Sequence, residues 1–102
     1  PSLGRLDFVK IDDIIFCEAD GNVTKIVVLN HPKPFLITRN LGKLEEQLAS
    51  CPQFFRSHHK FLINLDHLIE YLTNEKIAVL EGGHRLMVSH TRVADFMKKV
   101  RG

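Results

Sequence analysis

Short apolar runs with imperfect alternation dominate this chain, and helical spacing appears in only two places. Leu6 to Ile11 reads as a first strand, broken by Asp12-Asp13. Ile14-Ile15-Phe16-Cys17-Glu18 reads as a second, with Asp20-Gly21-Asn22 as a hairpin signal tolerant of positive φ. Val23 to Leu29 is rich in β-branched residues and ends at the turn cluster Asn30-His31-Pro32-Lys33-Pro34. Phe35 to Thr38 reads as a fourth strand, and extended structure resumes at Phe54-Phe55-Arg56. Leu68 to Leu72 and Lys76 to Leu80 form a hairpin across Thr73-Asn74-Glu75. Glu81-Gly82-Gly83-His84 then turns into Arg85-Leu86-Met87-Val88. Strands joined by such tight turns pair antiparallel.

The two helical patterns lie between and after these strands. Asn40 caps Leu41 to Ala49, where Leu41, Leu44 and Leu48 repeat on one face and Cys51-Pro52 ends the segment. Ser89 reads as the N-cap of a last helix whose stripe is Val93, Phe96, Met97 and Val100. That cap places His90, Thr91 and Arg92 beside unpaired backbone N–H groups and the positive end of the dipole, a setting suited to an anion.

Composition narrows the class. With 44% apolar and 25% charged residues over 102 positions, the chain reads as one globular domain. No apolar run approaches the roughly 20 residues that cross a bilayer, and the N-terminus has no signal pattern, so a cytoplasmic location is expected. Because it begins at Pro1, the chain reads as a piece of something longer. Cys17 and Cys51 lack metal or redox spacing and read as free thiols. Net charge is only +2, but it is unevenly spread. Arg5 and Lys10 face five acids before residue 21, whereas Arg85, Arg92, Lys98, Lys99 and Arg101 face Asp95 alone after residue 83. A basic end suits a polyanion, although Lys98, Lys99 and Arg101 also complement the macrodipole of the last helix.

The stretch from Phe54 to Asn64 is the most suggestive chemically. Arg56, His58, His59 and Lys60 lie between Phe54, Phe55 and Phe61, an arrangement that holds phosphate- and base-seeking groups between apolar anchors. A metal or catalytic site is the competing idea for six histidines. Adjacent His58 and His59 point to opposite sides of a strand, His31, His67 and His84 read as turn residues, and no nucleophile motif accompanies Ser57 or Ser89. Neither enzymatic activity nor a cofactor is expected.

Several blocks, in order, resemble the LytTR DNA-binding domain of bacterial response regulators. They are Asp13-Ile14-Ile15-Phe16-Cys17-Glu18-Ala19, Leu41-Gly42-Lys43-Leu44-Glu45 through Leu48, Phe55-Arg56-Ser57-His58 with Phe61-Leu62-Ile63-Asn64, and Met87-Val88-Ser89. The resemblance implies a mainly β fold of elongated antiparallel sheets, with one short helix between sheets and a C-terminal helix. It also implies reading of double-stranded DNA through turns, with dimeric or tandem copies on direct repeats in promoters. An upstream receiver or sensor domain would complete a two-component transcriptional regulator.

Carried over by position, the DNA-facing residues would be Asn22, Thr24 and Lys25; Arg56, His59 and Lys60; and His90, Thr91 and Arg92. The resemblance assigns base edges to His59 and one of His90, Thr91 or Arg92. It assigns phosphates to Arg56, Lys60 and Lys25. His58 would donate a hydrogen bond inside the fold, and Asn64 would tie a turn backbone. His59, Lys60, His90 and Met87 depart from the residues usual in the family. Neutral histidine cannot repeat a bidentate arginine contact to guanine, so these departures bear on which sequence is read. They also predict tighter binding below pH ~6.5, where histidine gains charge. The alternative function is a protein-interaction module of a regulator without DNA affinity, which the small net charge would suit.

Overall fold

The unbroken apolar run Ile14-Ile15-Phe16-Cys17 is explained by a sheet covered on both faces. In the computed structural model, which describes residues 9–102, all four of these residues are buried. They begin β1 (Ile14–Asp20), the middle strand of a five-stranded antiparallel sheet ordered β3-β2-β1-β5-β4. The other members are β2 (Val23–Val28), β3 (Phe35–Ile37), β4 (Phe54–His58) and β5 (Phe61–Asn64). A β-bulge between Ile14 and Phe16 breaks simple alternation. Ile15 and Phe16 therefore both join one core, while Ile14 and Cys17 join the other.

One core lies between this sheet and helix α1 (Leu41–Gln47), whose Leu41 and Leu44 pack with Leu48 on Ile14, Cys17, Ile26 and Leu62. As expected, Asn40 caps α1, its side chain accepting from the Lys43 N–H at 2.8 Å. The other core faces a three-stranded sheet ordered β6-β7-β8, namely β6 (Leu68–Leu72), β7 (Ile77–Leu80) and β8 (His84–Met87). Ile15, Phe16 and Ile63 meet Ala78, Leu80 and Leu86 there, together with Phe96 of helix α2 (Val93–Arg101). The expected mainly β, antiparallel architecture with a C-terminal helix is present. The short helix lies on the five-stranded sheet, and its core cluster contains no residue of the three-stranded one. The molecule is elongated, with extents of 40 × 25 × 24 Å.

Some boundaries differ from the sequence reading. Leu6 to Phe8 lie outside the described residues, and Ile11 belongs to a 3-10 turn over Ile11–Asp13 instead of a strand. That turn is held from within the fold: the Asn64 side chain donates to the carbonyl of Asp12 at 3.4 Å and to that of Ile14 at 2.9 Å. Asn64 thus ties a turn backbone, as its position suggested. Lys76 has φ 56° and sits in the β6–β7 turn, outside the strand. Ser89 makes no side-chain capping bond. A 3-10 turn over His90–Arg92 intervenes before α2, and the Ser89 carbonyl accepts from Arg92 N–H at 2.8 Å.

Candidate nucleic-acid interface

Strand register brings two turns to one end of the five-stranded sheet. Asp20 pairs with Val23 across the β1–β2 hairpin, where Gly21 takes φ 61°. Two residues back, Glu18 pairs with Phe61, the first residue of β5, so the β4–β5 turn at His59-Lys60 lies beside that hairpin. The Ala19 N–H donates to the Lys60 carbonyl at 2.8 Å, joining the two.

A third segment is stitched to the same place. β4 bulges between Arg56 and His58, and the buried Ser57 hydroxyl donates to the Met87 carbonyl at 3.0 Å. The Ser89 N–H returns a bond to the Ser57 carbonyl at 2.7 Å, and Arg92 Nη1 donates to the Arg56 carbonyl at 3.1 Å. These bonds set the His90–Arg92 turn against the end of β4. Asn22, His59, Lys60, His90, Thr91 and Arg92 are all exposed.

Inside the β4–β5 turn, aromatic rings form a ladder from core to solvent. Phe16 meets Phe61 edge-on at 6.5 Å, Phe61 meets His58 at 5.6 Å, and His58 meets His59 at 4.3 Å between ring centroids. Such packing fixes the direction of an exposed imidazole before any ligand arrives. His58 was expected to donate inside the fold. Instead its Nδ1 accepts from the Lys60 N–H at 3.1 Å, because the turn aims that amide at the ring. Partial burial, followed by the charges of His59, Lys60, Arg92 and Arg56, holds the His58 pKa below 6.5. Lys60, Arg92 and Arg56 make the locality cationic.

Three predicted site residues sit differently. Thr24 is fully buried, and its hydroxyl donates to the Arg39 carbonyl at 2.6 Å, so it presents nothing to a partner. The even positions of β2 face the α1 core, and Thr24 shares that parity with Ile26 and Val28. Lys25 is partly exposed and lies 3.8 Å from Asp20. Every nitrogen of the Arg56 guanidinium is engaged: Nε with the His58 carbonyl at 3.1 Å, Nη2 with the His59 carbonyl at 2.7 Å, and Nη1 with Glu45 at 2.7 Å. Arg56 is therefore a brace of the turn, with its side chain only 18% exposed. Glu45 and Ser57 were missing as contributors to the site, and Ser89, expected to place the turn as a helix cap, does so through its backbone N–H bond to Ser57. Their contacts span up to 32 residues of sequence (Ser57 to Ser89), and no local pattern signals them.

The opposite end of the molecule holds other histidines. His67, read as a turn residue, is buried in a 3-10 turn over Leu65–His67, where Nδ1 contacts Glu81 and Nε2 lies 2.6 Å from the Asp12 carbonyl. Burial opposes its charge, but Glu81 and the Asp12 carbonyl outweigh that and raise its pKa above 6.5. His84 opens β8 and packs edge-on against Phe16 at 5.0 Å. Both cysteines are free, and burial pushes the Cys17 thiol up to about 12, which leaves it inert. Among the described residues, no three His, Cys, Asp or Glu side chains gather as a metal site.

Exposed basic, imidazole and amide groups on three turns thus gather at one end of the molecule. The model of the LytTr DNA-binding domain matches residues 4–101. The chain belongs to the LytTR family. Among solved structures, this LytTR domain is similar to the LytTr DNA-binding domain of a protein described as a methyl-accepting/DNA response regulator from Bacillus cereus. The TM-score is 0.75 at 20% identity, covering 90% of this chain and 84% of that one. No curated protein matches the chain. LytTR is a family of DNA-binding domains, not of enzymes. No helix among the described residues is long and apolar enough to cross a membrane.

Proposed function

We propose that this LytTR domain recognises a specific double-stranded DNA sequence as the output part of a bacterial two-component transcriptional regulator working in the cytoplasm. An upstream receiver or sensor domain would control it, and tandem or dimeric copies would occupy direct repeats in promoters. His59, with His90 or Thr91, reads base edges, while Lys60 and Arg92 grip phosphates. Asn22 contacts the duplex from the neighbouring hairpin, and Lys25 joins once a phosphate outcompetes Asp20. Arg56 shapes the β4–β5 turn and makes no phosphate contact of its own; Thr24 serves the fold.

What supports this reading most is the convergence of three exposed turns at one end, with Arg92 bonded to the Arg56 carbonyl beside His59-Lys60. Major-groove reading needs such a protrusion, and no recognition helix is required if turns supply it.

Selection from a random duplex library with this domain, followed by titration at two or more salt concentrations, tests the proposal. A defined motif should emerge, and log affinity should fall with log salt at a slope of roughly −2 to −3, for about three neutralised phosphates. Lys60→Ala and Arg92→Ala should weaken binding to every sequence, whereas His59→Ala should alter the preferred sequence. No enriched motif, or a flat salt response, would indicate a protein partner instead.

A further inference from the structure

We infer that Glu45, on helix α1, is a positioning residue for sequence reading by the β4–β5 turn. The inference rests on the proposed DNA function and adds a residue that makes no DNA contact itself. The Glu45 carboxylate accepts from Arg56 Nη1 at 2.7 Å, across 11 residues of sequence. Arg56 spends its other two nitrogens on the carbonyls of His58 and His59, at 3.1 and 2.7 Å. Those carbonyls belong to the two peptide units on either side of the His59 Cα. One guanidinium therefore fixes both planes that set the direction of the His59 side chain.

Glu45 holds that guanidinium in place. Its side chain is 45% exposed, against 18% for that of the arginine, so it lies on the solvent side of Arg56 without being sealed in. An arginine bonded only to two carbonyls keeps a full positive charge and a long flexible stem. Near a duplex, the carboxylate adds a charged anchor to those two carbonyl bonds against a swing toward a phosphate, which would release the turn. A charge-assisted, geometrically fixed bond suits this task because it is stronger than a neutral one. The same bond keeps a cation out of sequence-independent phosphate binding, so it favours discrimination over raw affinity.

A positioning role and a purely electrostatic one predict opposite results. If Glu45 only contributes negative charge, Glu45→Ala raises affinity for every duplex and leaves the ratio of selected to scrambled sites unchanged. If it positions the turn, Glu45→Ala lowers that ratio by about tenfold, the size expected for loss of one charge-assisted bond. Glu45→Gln retains an acceptor for Nη1 and should keep the ratio within about twofold of wild type. Arg56→Lys keeps the charge but loses the fork, and should mimic Glu45→Ala.

The experiment is titration of the selected duplex and a scrambled one with these three variants, with thermal denaturation confirming that each is folded. A ratio lowered by Glu45→Ala and Arg56→Lys but restored by Glu45→Gln supports the inference. An unchanged ratio with uniformly tighter binding by Glu45→Ala overturns it while leaving DNA recognition intact. Equal binding of both duplexes by the unaltered domain overturns the functional proposal and this inference together.

Discussion

Two histidines at opposite ends of the molecule have pKa values displaced in opposite directions. His58 lies below 6.5 because burial and then the surrounding cations disfavour its charged form, and its Nδ1 already accepts from Lys60. Its contribution to stability is complete above pH ~6.5 and is lost as pH falls through the lower folded value. His67 lies above 6.5 because Glu81 and the Asp12 carbonyl outweigh its burial. Its contribution is complete below pH ~6.5 and is lost as pH rises through the higher folded value. Denaturant midpoints measured across this range should therefore peak between the two titrations. His67→Phe should remove the alkaline decline and His58→Phe the acid one; a midpoint that stays level in the unaltered domain contradicts both assignments. The expected gain in DNA affinity at low pH cannot come from His58 without cost, since protonating Nδ1 ends its bond to Lys60.

At the scale of elements, the two helix starts make a direct comparison. Asn40 caps α1 through its side chain, whereas Ser89 leaves that task undone because a 3-10 turn separates it from α2. Asn40→Ala should cost about 1 kcal/mol in denaturant unfolding, and Ser89→Ala less than about 0.5 kcal/mol. Similar losses at the two positions would mean that Ser89 caps after all. Local signals explain which parts were legible: the leucine stripe of α1, the Gly21 hairpin and the Gly82-Gly83 reversal each sit within a few residues of their cause. The bulges at Ile15 and Ser57 were not legible, because they answer to cores on both sides of one sheet. The same holds for the site. The basic turn at His59-Lys60 could be read directly, while the brace formed by Glu45 and Arg56 exists only once α1 crosses the sheet. Thr24 failed as a contact for a related reason, since strand parity, set by pairing with β1 and β3, turned it inward.

On the whole-molecule scale, the proposed DNA contacts are polarised along the strands. One end carries the β1–β2 hairpin, the β4–β5 turn and the His90–Arg92 turn, and the other carries the Asn30–Pro34 loop and the Gly82-Gly83 turn. An open cleft lined by Val27, Leu29, His31, Pro32, Gly82 and His84 lies at that second end. The small net charge of +2 is compatible with DNA binding because the cations proposed to face the duplex are gathered on the first end. Amide chemical shifts recorded while a cognate duplex is titrated into the domain would decide the matter. Large changes should be confined to Gly21–Asn22, His58–Lys60 and His90–Arg92, with Asn30–Pro34 and Gly82-Gly83 unmoved. Changes concentrated at the cleft end, or spread evenly over both ends, would contradict a duplex held by the three turns.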